Sequence, residues 1–364
     1  MFKPRPQIIF LSAILFCSCT VDNKYNYAIK DFGKSLNPHL TKIVSNGIVM
    51  YSDSALRNIA SDKDLNQLTQ SEHPVLRASA FRELFYRNPL KNFDIVMSHL
   101  DDTAMVRTDG GEFGIFSNKV SDDILQEAKW KTKEEKNKTI DKVLSKHNYL
   151  RSAYVILLKI DPQEKYYNYI KDMATRPRRL SYDDFEMGFG DIEFALYGLA
   201  KFKKQEDIKI IKKQLLENVW RLSHISFRIM KEFPDTSYFD ILQTYHRRQF
   251  YKFSGNRRDG FSGAVADNAD PEDFINALII QQNEKSAKLL DTLLNKLPLQ
   301  TCMPDKESII YHLVMEIWEH PCPIYAKLRE KINFRVKKIL EGRIIMPSQQ
   351  IDLPIDTTKP MIGW

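Results

Sequence analysis

Eight histidines (His39, His73, His99, His147, His224, His246, His312 and His320) are the side chains here that could change charge near neutral pH or ligate a metal. No two stand three or four residues apart, the spacing that sets a pair of imidazoles on one helical face. Each therefore reads as a helix-end or core histidine. Adjacent acids raise a second chemistry: Asp101-Asp102, Asp122-Asp123 and Asp183-Asp184. Glycoside hydrolysis needs two carboxyl groups facing each other across a cleft. Neighbours on a helix point in different directions, and most of these pairs stand where helix N-termini are expected, where negative charge suits the helix dipole. A third constellation is basic and aromatic. Arg247, Arg248, Arg257 and Arg258 alternate with Phe250, Tyr251, Phe253 and Phe261. Guanidinium groups among rings can hold an anionic or sugar-like ligand, so Arg247, Arg248, Tyr251, Arg257 and Arg258 form the candidate ligand or partner surface. The other reading of that stretch is a solvated edge with its rings tucked into the fold. A second basic run, Arg176 to Leu180, reads as an interhelix turn. Glycine-rich phosphate loop, H-E-x-x-H, paired C-x-x-C and G-x-S-x-G are all missing. No catalytic residue, metal ligand or cofactor is assigned.

The first segment carries a different chemistry. "MFKPRPQ" is basic, "IIFLSAILF" is a nine-residue apolar run and "CSC" follows. A basic start with a short apolar core is the pattern of an export signal, too short to span about 30 Å of hydrocarbon. Ending at cysteine, it resembles the bacterial lipoprotein lipobox, in which a small residue precedes the cysteine that receives the lipid. Cys17 follows bulky Phe16, whereas Cys19 follows Ser18, so the resemblance implies lipid attachment at Cys19. An uncleaved anchor or a plain secretory signal is the competing reading. The expected layout is a signal peptide over 1–18 and a flexible tether over 19–34. The implied address is the cell envelope, on the periplasmic or cell-surface side, with the bilayer engaged through an N-terminal acyl anchor. In the body Cys302 and Cys322 are either disulfide-bonded or two buried thiols.

The elements that position these groups read as helices. Of 364 residues, 43% are apolar and 28% charged, and thirteen glycines are few for an all-β chain. The net charge of +7 is diffuse, and Lys3 and Arg5 supply two of it. "PVLRASAFREL" has Pro74 in a first helical turn and an apolar stripe of Leu76, Ala80, Phe81 and Leu84. A second helix follows Pro89, and the same grammar of paired helices returns through the chain. "SDDILQEAK" and "KNKTIDKVLSKH" are expected to pair. Asp161, Pro162 and Glu164 read as a capped helix start. Small residues at Ala80, Ala153, Ala195, Ser226 and Ala277 recur at spacings that fit a repeat of about 30 to 45 residues. Adjacent hairpins would pack at those positions.

Arg77 with Ala80 and Leu84, preceded by "SDKDLNQLTQSEHP", resembles the HEAT-repeat pattern; later units keep the small residue and lose the arginine. The resemblance implies an all-α fold, a right-handed α-solenoid of HEAT-like helical hairpins over 35–343, with an extended tail over 344–364. Two glycine-rich stretches break the rhythm: Arg107 to Lys119 reads as a turn or small hairpin, and Lys252 to Asp270 as a long surface insertion. The expected function is a membrane-tethered, non-catalytic module that binds or scaffolds a protein or peptide. The alternative is an exported enzyme acting on glycans or peptidoglycan from an all-helical toroid. The export signal argues against a nucleic-acid partner.

Overall fold

The computed structural model describes residues 24–50, 54–111, 114–176, 189–219, 222–249, 271–296 and 309–332, and they are mostly helical. Cys19, Tyr251, Arg257, Arg258, Asp183-Asp184, Cys302, the insertion and the tail lie outside the described residues, as does the side chain of Arg248. Two compact units are present, the first running to Lys159 and the second taking up from Ile160.

The first unit begins with α1 (Asn37–Asn46), which Gly47 ends in a left-handed conformation, φ 64°. That turn releases the chain into β1 (Ile48–Val49), followed by α2 (Ser54–Ile59) and α3 (Asp62–Leu68). Ser61 caps α3 by accepting from the Asp64 N–H, and the Asp64 carboxylate in turn accepts from the Ser61 N–H. Then comes α4 (Pro74–Arg87), with Pro74 opening it as expected. Its burial exceeds the expected stripe: Val75, Arg77, Ala78, Ser79 and Glu83 are buried along with Leu76, Ala80, Phe81 and Leu84. The cause is company on several sides, since α1, α2, α3, β1 and the next strand all pack on α4.

The helix after Pro89 is only α5 (Phe93–Ser98). The glycine-rich stretch forms the expected hairpin, β2 (Met105–Asp109) and β3 (Ile115–Lys119), antiparallel, with Val106 opposite Asn118 and Arg107 opposite Ser117. Gly111 and Gly114 supply positive φ at its turn. The short β1 joins on the far side, parallel to β2. Helices α6 (Val120–Glu127), α7 (Lys133–Lys146) and α8 (Arg151–Leu157) complete the unit. The expected pairing of α6 with α7 is replaced: α6 packs on α4 and α8, and α7 packs on α8. Within the stretch expected as a tether, residues 24–34 are packed against the folded body. Asn26 and Tyr27 donate to the Gln70 carbonyl, the Glu72 N–H donates to the Tyr27 carbonyl, and Phe32 is buried, so the folded body starts by Lys24.

The second unit contains α9 (Tyr167–Thr175), α10 (Phe189–Ala200), α11 (Ile208–Glu217), α12 (His224–Glu232), α13 (Phe239–Gln249), α14 (Pro271–Ile279), α15 (Glu284–Lys296) and α16 (Ile309–Glu319). A last helical stretch spans 326–332. Consecutive helices pack (α9 on α10, α13 on α14, α14 on α15), and a second set of contacts skips one helix at a time: α10 on α12, α12 on α14 and α14 on α16, while α11 meets α13 and α13 meets α15. The expected cap at Asp161 does not form. A tight 3-10 turn, Glu164–Tyr166, intervenes, and Tyr166 takes the capping position of α9. The same device precedes α11, α13 and the last stretch, at Gln205–Asp207, Thr236–Tyr238 and Pro323–Tyr325.

All five small residues singled out by spacing, Ala80, Ala153, Ala195, Ser226 and Ala277, have no exposed surface. A longer side chain there must push neighbouring backbones apart. Replacing Ala277 with leucine is expected to lower the unfolding free energy in urea by about 1–3 kcal/mol. An unchanged midpoint would mean that α14 does not meet its neighbours through that residue.

Candidate interaction site

Charged groups inside the first unit are committed to one another. Arg77 (3% exposed) sets a two-pronged bond on Asp102 (2% exposed), Nε to Oδ2 at 2.7 Å and Nη2 to Oδ1 at 2.9 Å. Its Nη1 donates to the Ser71 carbonyl at 2.8 Å, and its plane lies 3.9 Å from the Tyr25 ring centre. Burial, with the Asp102 carboxylate beside it, pushes the Tyr25 phenol far above its ordinary value. Arg82 grips Asp123 in the same way, and Thr108 Oγ1 also donates to Asp123, at 3.1 Å. Arg57 holds Glu83 from α2. Arg87 donates to the carbonyls of Leu56, Arg57 and Ala60, closing the end of α2, and reaches Asp62 at 2.8 Å. His99 is buried between Tyr25 and Phe81, with Nε2 3.1 Å from the Thr69 carbonyl, and burial lowers its pKa. It follows α5 directly, a helix-end histidine and a core one at once.

Two further acids tie helices together. Asp122 accepts from the Ser152 N–H (2.7 Å) and the Arg151 N–H (3.3 Å), the open donors at the start of α8. Glu193, in the second unit, accepts from Ser223 Oγ at 2.8 Å, from the Ser223 N–H and from Ser226 Oγ, at the start of α12. Burial raises the pKa of both acids. Also in that unit, the Tyr167 hydroxyl donates to Asp207 at 3.0 Å, and Lys171 Nζ lies 3.0 Å from each of them. Burial and Asp207 raise the Tyr167 pKa, the opposite of what a catalytic phenolate needs.

What remains uncommitted lies at the surface. Among the described residues of the first unit, Arg107 is exposed at the middle of β2 and holds no carboxylate. Beside it β3 is an open edge, because no described strand pairs with its outer side. Gly110 N–H to Gly114 O (2.7 Å) and Val120 N–H to Ala104 O (2.9 Å) bracket the hairpin ladder. Alternation between them turns the backbone groups of Phe116 and Asn118 toward β2, and those of Ile115 and Ser117 outward. One face of the hairpin buries Val106 and Thr108; the other presents Met105, Arg107, Ile115 and Ser117, all exposed. Phe116 is held where it is by Gly110, since a Cβ there would run into its ring. A groove of about 290 Å³ adjoins, bounded by Gly47, His73, Pro74, Val75, Arg107 and Ser117.

A second groove, of about 350 Å³, runs between α13 and α15 past Phe239, Asp240, Gln243, Lys285, Lys288 and Leu289. Of the basic and aromatic cluster expected to bind, only Arg247 is described with its side chain. It is exposed, one helical turn beyond Gln243 on the groove's own line of Asp240 and Gln243. Lys285 and Lys288 had escaped notice because α15 reads as a plain amphipathic helix. Arg176, of the second basic run, is tied to Asp172. No three His, Cys, Asp or Glu side chains converge as metal ligands among the described residues. None of the described helices is long and apolar enough to cross a membrane. No family model, curated protein or solved structure matches the chain.

Two outcomes follow from the buried charges. Arg77→Met leaves Asp102 buried without its counterion and is expected to cost about 3–5 kcal/mol in urea unfolding, most of it recovered when Asp102→Leu is added. Glu193, its pKa raised by burial above the ordinary 4.5, keeps its proton to higher pH in the folded state than in the unfolded chain, which opens a window just above that value. Stability should therefore fall as pH rises through that window, and Glu193→Gln should remove that part of the slope in urea midpoints measured across it.

Proposed function

We propose that the chain is a membrane-tethered lipoprotein whose body is a HEAT-like α-solenoid serving as a non-catalytic module for a protein or peptide partner. The observation that carries this reading is how the acids are used. Asp101 is paired with Lys24, Asp102 with Arg77 and Asp123 with Arg82, and Asp122 caps α8. A glycan-hydrolysing site built on these adjacent pairs would need two of the four free and facing a cleft. The skipping pattern from α10 to α16, with a buried small residue on α10, α12 and α14, supports stacked hairpins as the architecture. Such stacks offer surface along their length, and the groove between α13 and α15 and the open hairpin edge are surface of that kind. Cys19 supplies the address, and the several chains of a mature bacterial lipoprotein hold firmly where one acyl chain would not.

Cys19→Ser is expected to move the protein from the membrane fraction to the soluble fraction; unchanged retention would refute the lipid anchor. Crosslinking in native membranes followed by mass spectrometry should recover a reproducible protein partner. Recovery of none, together with glycan turnover by the purified chain, would favour the enzyme instead.

A further inference from the structure

We propose that the open edge of β3 takes up an extended peptide segment as a fourth strand, and that Arg107 selects for an acidic residue on it. The inference rests on the partner-binding reading and names the partner's chemistry. An edge strand offers main-chain donors and acceptors in the spacing that only another extended backbone matches. Here those of Ile115 and Ser117 face outward, and Ile115, Phe116 and Ser117 are exposed. Long, apolar edges are a hazard that proteins commonly cover or charge; this one carries Ile115 half exposed, beside an equally exposed Met105.

Arg107 gives the edge its selectivity. It stands directly opposite Ser117, on the same face. A residue added opposite Ser117 on its outer side would lie two strand spacings from Arg107, roughly 10 Å at the backbone. Ser117 is small enough for the guanidinium to pass over it to a carboxylate on the new strand. Arg57, Arg77, Arg82 and Arg87 in this unit each hold a carboxylate, whereas Arg107 is left with that capacity unused. The matching segment has an acid opposite Ser117 and an apolar residue two positions away, beside Ile115.

Charge also separates this occupant from a second copy of the chain. Two β3 strands paired edge to edge would bring Arg107 and Lys119 of each copy onto one face, against one Asp109 from each. An acidic segment meets the same face with opposite sign.

The test is hydrogen–deuterium exchange of the full chain with three synthetic peptide pools. The first alternates Val, Glu and Val with varied Ser, Thr and Asn; the second has Gln for Glu; the third repeats the first with N-methylated backbones. The first pool should slow exchange of the outward Ile115 and Ser117 amides by about tenfold, the second clearly less, and the third not at all. Arg107→Gln should make the first two pools equal. Ser117→Pro, which removes one outward N–H, should abolish the effect, and the methylated pool makes the same point should that variant not fold. Equal protection by Glu and Gln pools on the native chain would overturn the proposal, as would protection by the methylated pool. So would protection of the outward Ile115 and Ser117 amides before any peptide is added, since those of Phe116 and Asn118 are already held by β2: if it grows with protein concentration the edge belongs to a second copy, and if not, to the chain itself. A crosslinked partner recovered while β3 stays silent would remove this inference and leave the module reading standing.

Discussion

Arg77, 3% exposed, has no water to solvate its guanidinium, so its place in the fold depends on carboxylate, carbonyls and ring arriving together. Removing such a group from water costs several kcal/mol unless its donors are all used. The bidentate bond to Asp102 and the carbonyls of Ser71 and Glu72 use most of them, and the face of Tyr25 covers the plane. Each comes from a different place along the chain: the N-terminal segment, the loop before α4 and the loop after α5. One side chain thereby fixes three segments against the helix that the rest of the unit surrounds. Arg82 and Glu83, five and six residues further along α4, repeat the arrangement toward α6 and α2. A helix buried on several sides cannot turn a charge outward, so each charge it carries toward its neighbours becomes a fastening.

The second unit solves the same problem by different means. Its alternate helices α10, α12 and α14 pack in turn and each buries a residue without bulk, Ala195, Ser226 and Ala277, and Glu193 reaches across to the Ser223 N–H at the start of α12. Asp122 does the same for α8 in the first unit. In both, an acid thirty residues upstream answers the start of a later helix with a serine beside it. A carboxylate aimed at a helix N-terminus meets both the unpaired donors and the favourable end of the dipole. Its burial still raises its pKa, so these caps are held by hydrogen bonds against a desolvation cost.

The helices and the small residues between them were legible in the sequence, because both follow from local periodicity. Pro74, the run from Leu76 to Leu84 and the hairpin around Gly110 to Gly114 stand where they were expected. What was not legible depends on pairings between distant residues. Nothing local marks Ile48–Val49 as a strand, since two residues show no alternation; β2 makes them one. Asp161 looks like a helix cap, but a 3-10 turn takes its place and the residue that opens α9 is the buried Tyr166, whose packing is a tertiary event. The partners of Asp102 and Asp123 lie 25 and 41 residues away, on α4. Their adjacency in sequence drew attention to a joint chemistry that the fold divides between two arginines.

That division is informative about function in a way that motif searching is not. Asp102, Asp122, Asp123 and Glu193 are spent on holding helices, and the groups a partner would meet are those at the surface. Among the described residues, the first unit presents Arg107 and the outward backbone of Ile115 and Ser117 at one edge; the second presents Lys285 and Lys288 along one groove, with Arg247 one helical turn beyond it. Both sets are cationic and set beside apolar side chains. A guanidinium or ammonium at an exposed rim contributes little by itself, about 1 kcal/mol or less, and gains weight only where a docked partner excludes water. Surfaces built this way discriminate by sign and backbone shape together: an anionic segment that cannot lie extended gains little at β3, and a neutral strand gives Arg107 nothing to hold.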